Sequence, residues 1–186
     1  MNFQTTSSIS REPDEIIFTI HKFPTHVRTR KPSSKKGGAQ IKVNGQTLYS
    51  GLHYAVRNKV VGSLRKSITD ELIKHFPGGE NLHHLVPMAI TMEWHVTPNW
   101  ETVKWSNKHN TLQCKDLEDR HYNGMFDTDN QWFWLKVFTD AISKDSQLVP
   151  EDKAPIIPNN GSIKHFPVEH IDDRKLVFRL KKINDV

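Results

Sequence analysis

Leu52, Val56, Val60, Leu64, Ile68, Leu72 and Phe76 recur at every fourth position, and Pro77-Gly78-Gly79 follows directly. A spacing of four returns a side chain to nearly the same side of an α-helix, so the pattern predicts one long amphipathic helix from Tyr49 to about Phe76. Proline and paired glycines then stop it. A helix that is apolar along one stripe must bury that stripe against another layer. The stripe therefore reads as core, and the question becomes what covers it.

Strands supply the cover. Ile16–Ile20 (IIFTI) is a short β-branched run and a first strand. Met88, Ile90, Met92, Trp94 and Val96 alternate with Ala89, Thr91, Glu93 and His95, which is the period of a strand with one buried face. Lys175–Ile183 repeats that pattern with Leu176, Phe178 and Leu180. Asn44-Gly45, inside QIKVNGQTLYS, predicts a small hairpin. Asn130–Ile142 reads as a second helix and Gln147–Val149 as a short strand. The polar stretch Met1–Asp14 is expected to be a flexible N-terminal tail, with 15–186 forming a single domain. Pro98–Phe126 shows no period and is expected to be an insertion at about 98–126. The element order implies an α+β fold: a small mixed β-sheet packed against a long amphipathic helix and a shorter acid-bearing helix.

Composition narrows the function classes. With 186 residues, 35% apolar and 25% charged, the chain is long enough for a real core and polar enough to dissolve. No run approaches the roughly 18 apolar residues of a membrane span, and Met1–Ser10 lacks a signal-type apolar region, so the cytoplasm is the expected home. The single cysteine, Cys114, excludes an intrachain disulfide and a multi-cysteine zinc site. None of the 11 histidines has the spacing of a helical zinc pair. Lysine and arginine number 26 against 21 acids, a net charge of +5. The excess is concentrated: Arg28, Arg30, Lys31, Lys35 and Lys36 lie among Pro, Ser and Gly, with Lys42 shortly after. Such a cationic loop suits the phosphates of a polyanion; a merely solvated loop is the plainer reading.

The acids carry more chemistry. Asp127-Thr128-Asp129-Asn130 opens the second helix, and residues two apart in an extended segment share a face. Two convergent carboxylates are a sufficient protein donor set for magnesium, which otherwise keeps water and phosphate oxygens. Helix capping by Asp129 or Asn130 is the competing explanation. Lys136 follows Asp129 by seven residues, two turns on, and Asp140 is one turn beyond Lys136. A third acid, Asp145, precedes Ser146-Gln147.

DTDN, LKVFTDAI and KDSQL, taken together, resemble the core of the RusA-type Holliday junction resolvases, a family of phage and prophage endodeoxyribonucleases. The resemblance covers about Asp127–Leu148 in motif and the rest in pattern. It implies a homodimer of small α+β subunits that resolves four-way DNA junctions. It also implies a magnesium-bound carboxylate cluster of Asp127, Asp129 and Asp145, with manganese as a substitute, and Lys136 near the scissile phosphate. Three features depart from the family. Gln131-Trp132-Phe133 lengthens the step to the lysine, the link from Asp140 to Asp145 is short and lacks a glycine, and most of 98–126 has no counterpart. That insertion also supplies rival acids, Asp116, Glu118 and Asp119, in KDLED.

In this reading Arg28, Arg30, Lys31, Lys35, Lys36 and Lys42 hold the backbone of branched DNA, and the acids serve phosphodiester hydrolysis. Two alternatives remain beside it: a non-catalytic phage DNA-binding protein whose acids only cap and solvate, and a metal-dependent nuclease acting on other DNA structures.

Overall fold

The computed structural model describes residues 5–23, 26–28, 40–43, 48–49, 52–96, 104–106, 111–113, 128–153, 156–168 and 170–184. Strands β1 (Thr6–Glu12) and β2 (Glu15–Lys22) form a hairpin across Pro13-Asp14, with Glu12 opposite Glu15. Ile16, Phe18 and Ile20 of β2 are buried, as the IIFTI run predicts. The flexible-tail expectation is corrected for Thr6–Glu12. Its inward positions are Ser7, Ile9 and Arg11, with one apolar residue among them, so no apolar alternation betrays it, yet it pairs along its length with β2.

β3 (His26–Arg28) and β4 (Gln40–Lys42) form a separate two-stranded antiparallel ribbon. Gln40–Lys42 thus pairs backwards across the basic segment, not forwards across Asn44-Gly45. That turn lies outside the described residues, and Leu48–Tyr49 beyond it is helical.

Helix α1 (Tyr54–His75) buries Val60, Leu64, Ile68 and Leu72, the predicted stripe, and Pro77-Gly78-Gly79 closes it in a 3-10 turn. β5 (Met88–Val96) buries Met88, Ile90, Met92 and Trp94. Within the expected insertion, β6 (Lys104–Ser106) and β7 (Thr111–Gln113) make a second small ribbon. Helix α2 (Thr128–Asp140) runs without a break into a π-helical turn, Ala141–Asp145. β8 (Asn159–Pro167) and β9 (Lys175–Lys182) follow.

The main sheet has five strands in the order β1-β2-β9-β5-β8. Only β5 and β8 are parallel, joined by the crossover that contains α2. The fold is α+β with a mixed sheet, as the element order predicts. Both helices contribute to one hydrophobic cluster with the sheet. Among the described residues no helix is long and apolar enough to cross a membrane.

Two local features differ from the sequence expectation. Gln147–Val149 is not a strand: Gln147 has φ 55°, Leu148 and Val149 are buried, and the chain reverses sharply. Backbone bonds from Leu82 N to Leu148 O (2.7 Å) and from Val149 N to Ile142 O (3.2 Å) hold the reversal. β8 was hidden because Asn159-Asn160-Gly161-Ser162 has neither β-branched residues nor alternation. The β5–β8 register shifts beside it, between Ile90 and Thr91. Gly161 has φ 123°, and a Cβ there would meet the Trp132 ring of α2 at 2.1 Å. Only glycine lets α2 lie this close to β8.

Candidate functional site

Helix α2 crosses the sheet with its aromatic side down. Phe138 stacks on Phe178 of β9 at 3.9 Å and on Phe18 of β2 at 5.7 Å, while Trp134 meets Trp94 and Phe23 edge-on. Phe133, Leu135, Val137, Ala141 and Ile142 are buried as well. Lys136 is exposed on the side away from this packing.

Asp129 lies in the first turn of α2. Its side chain, together with Asp127, Asp116, Glu118 and Asp119, lies outside the described residues. Lys136 is exposed, and its Nζ is 3.5 Å from Asp140 Oδ2. Asp140 in turn receives Lys144 Nζ at 2.5 Å, and Lys144 reaches Asp152 Oδ2 at 3.2 Å. The hydrogen bond that Lys144 donates to Asp140 raises the ammonium's pKa above its usual range, against a smaller opposing effect of burial. The ladder Lys136–Asp140–Lys144–Asp152 thus follows the helix into the segment after it. Sequence reading found only its first rung, because Asp152 is brought back by the reversal at Gln147.

Asp145 belongs to a different contact. Arg65 Nε of α1 lies 2.5 Å from Asp145 Oδ2. The Thr69 hydroxyl stands 3.5 Å from the same oxygen while donating to Arg65 O at 2.9 Å. The continuous helix sets the scale. Asp129 to Asp140 is eleven residues, about 16 Å of rise, and the π turn carries Asp145 farther still. Carboxylates that share one magnesium ion must each come within about 2.1 Å of it. Asp129 and Asp145 mark opposite ends of one rod, which does not fit one ion shared by these two; Asp127 lies outside the described residues. The missing glycine and short link after Asp140 explain why. The chain stays helical through the residues where a return would have to begin. Asp129 and Lys136 do share a stripe, seven residues and two turns apart.

The cationic residues divide by position. Arg28 closes β3 and Lys42 closes β4, so the intervening basic segment joins the two strands of one ribbon. Arg30, Lys31, Lys35 and Lys36 themselves lie outside the described residues.

The sheet face away from the helices also carries charge. Arg179 Nε lies 2.6 Å from Glu93 Oε1, and His95 Nε2 lies 3.3 Å from Glu93 Oε2. Burial opposes the Glu93 charge, but the bonds from Arg179 and His95 outweigh it and hold the carboxyl below its usual range. Burial lowers His95, against the pull of Glu93. His95 stacks on Phe166 at 4.7 Å. At this end of the sheet a cleft of about 490 Å³ opens between His21, His95, His170, Asp172, Arg174 and Lys175. Burial pushes Arg174 down to about 10, where it is still charged at neutral pH. The cleft mixes both signs of charge. Among the described residues no three histidines, cysteines or acids are grouped to hold a metal ion.

Comparison with known proteins finds no matching family model, no matching curated protein and no matching solved structure.

Proposed function

We propose that the chain is a magnesium-dependent, structure-selective endodeoxyribonuclease that cuts branched DNA such as a four-way junction, acting as a homodimer. The observation that carries the reading is the shared stripe of Asp129 and Lys136 on a helix whose other side is locked into the core. A helix fixed so firmly holds whatever its polar stripe presents in a constant geometry, which is what positional catalysis needs. Asp129, with Asp127 just before it, is the donor pair, and hard carboxylate oxygens suit magnesium or manganese. The ion would lower the pKa of a bound water and neutralise phosphate charge. Lys136 is exposed and, among the described residues, held by a 3.5 Å contact to Asp140, so its ammonium can turn towards the helix start and meet a phosphate oxygen. The ribbon bearing Arg28 and Lys42, with Arg30, Lys31, Lys35 and Lys36 between its strands, would grip the DNA backbone. A two-fold junction calls for a two-fold enzyme, which is the reason for the homodimer.

Asp129→Asn should keep the fold and junction binding and abolish cleavage, since asparagine still caps a helix but removes a ligand charge. Incubation with a synthetic four-way junction and magnesium should give paired symmetric nicks with the wild type and none with the variant. Equal cutting by both would sink the Asp127/Asp129 assignment and turn attention to Asp116 and Asp119. Lys136→Ala should lose cleavage while keeping DNA binding; full activity would remove the lysine from the mechanism and leave the acids.

One observation favours a second reading, a DNA-binding protein without catalysis. Asp140 and Asp145 are both already matched by cations, Asp140 by Lys136 and Lys144 and Asp145 by Arg65. Junction binding with no nicking in magnesium or manganese would decide for it.

A further inference from the structure

Tyr49 and Tyr54 are 45% and 64% exposed, at and just before the start of α1, and neither serves the core stripe. They are not isolated. The Arg57 guanidinium sits over the Tyr49 ring at 5.5 Å, and the His53 ring lies 4.5 Å from that of Tyr54. Tyr49 also meets the edge of Phe133 in α2 at 6.1 Å, so the patch adjoins the beginning of the acid-bearing helix. From Tyr54 to Thr69 the helix carries Arg57, Lys59, Arg65 and Lys66 and no acid; Asp70 is the first. Arg65 and Lys66 are matched by Asp145 and Asp70. Arg57 and Lys59 stand near the helix N-terminus, where the backbone dipole opposes positive charge, so they do not serve helix stability.

Partly exposed rings, each covered on one side by Arg57 or His53, with cations beside them fit one kind of polyanion best. In a duplex the base faces are hidden, whereas unpaired bases offer π-faces for stacking and phosphates for the cations. We propose that Tyr49, Tyr54, Arg57 and Lys59 form a platform for unpaired DNA, the two rings stacking on bases and the two cations meeting the backbone. The proposal deepens the reading of the chain as a DNA-acting protein and rests on it for its place in the reaction. Binding without magnesium tests it separately from cleavage.

The experiment is fluorescence anisotropy of the full chain with a short labelled oligo(dT), a blunt duplex of equal length, and heparin as a polyanion without bases. Oligo(dT) should bind more tightly than the duplex. The double variant Tyr49→Leu/Tyr54→Leu should weaken that binding roughly tenfold or more, while Tyr49→Phe/Tyr54→Phe retains it. Arg57→Gln/Lys59→Gln should flatten the log-log salt slope by about 0.7 for each lost contact. The platform is overturned if the wild type ignores oligo(dT), if the leucine variant binds it like the wild type, or if leucine weakens heparin binding equally. Should the leucine variant melt early, the phenylalanine and glutamine variants still decide. Magnesium-dependent nicking is scored on the same proteins. Ring-dependent binding without nicking keeps the platform and overturns the nuclease reading, and the converse result does the reverse.

Discussion

Phe138 of α2 lies flat on Phe178, 3.9 Å away and within 5° of parallel, and Trp134 fills the space between Trp94 and Phe23. On the same side of the sheet, α1 meets β1 through hydroxyls and charges. Thr5 Oγ1 is 2.6 Å from Ser67 Oγ, and Ser7 donates to Glu71 Oε2 at 2.7 Å and sits 2.9 Å from His75 Nε2. Lys74 closes on the other oxygen of Glu71. Since the carboxylate takes the Ser7 proton, His75 must donate to Ser7, and the serine is not activated as a nucleophile. One helix is docked by a dry aromatic contact, the other by an apolar stripe with a hydrogen-bonded seam along its edge. A dry contact needs no charge, so α2 leaves Lys136 exposed, whereas α1 has Glu71 committed inwards.

The largest effect should come from the dry side. Phe138→Ala removes a fully buried ring from between two others and should cost about 3–5 kcal/mol in urea unfolding. A loss below about 1 kcal/mol would mean that α2 is not anchored by this stack, and the fixed geometry assumed for Asp129 and Lys136 would go with it.

Next comes the seam. Glu71→Ala takes the acceptor away from the half-buried Ser7 hydroxyl, while the exposed Lys74 ammonium turns to water, and should cost about 1 kcal/mol. Its signature is in the pH dependence. Burial opposes the Glu71 charge, but bonds from Lys74 and Ser7 prevail and hold the carboxyl below the usual carboxylate range. A depressed folded pKa means that the unfolded chain binds more protons in that window. The contribution is therefore complete above the unfolded pKa and fades as pH falls through the folded one. Glu93, lowered by Arg179 and His95 despite burial, adds a second portion with the same sign. Acid titration of urea stability should show the wild type losing more than Glu71→Ala below about pH 4.5. Parallel curves would show that the seam does not bind its charge as described.

The same contrast decides what could be read from the residues alone. Dry packing is written as apolar periodicity, so the α1 stripe, β2, β5 and β9 were legible, and α2 was legible as a helix. The seam is written in serines and threonines, which look like a polar tail, and β1 went unseen until Glu71 and Ser67 were in place to receive it. β8 was hidden because its packing depends on a missing side chain, Gly161 beneath Trp132. For the candidate site, the stripe joining Asp129 to Lys136 follows from helical arithmetic. The partner of Asp145 does not, because Arg65 lies eighty residues away and only the crossing of the two helices brings it near.

Asp145→Asn should have the smallest effect and sharpens the comparison most. The Arg65–Asp145 pair is partly exposed, with side chains 35% and 27% accessible, so solvent screens it and its loss should cost under about 1 kcal/mol. Asparagine keeps the shape and can still accept a hydrogen bond, so the helix crossing should hold. If α2 carries function only at its first turns, magnesium-dependent nicking by this variant should match the wild type. If nicking instead falls as far as in Asp129→Asn, the two acids act together. The rod that separates them by more than about 16 Å would then have to break at the π turn when DNA binds. Melting temperature and nicking rate on one preparation separate these outcomes. A small shift with full activity makes Asp145 a clasp between helices, and an intact melt with lost activity makes it a ligand.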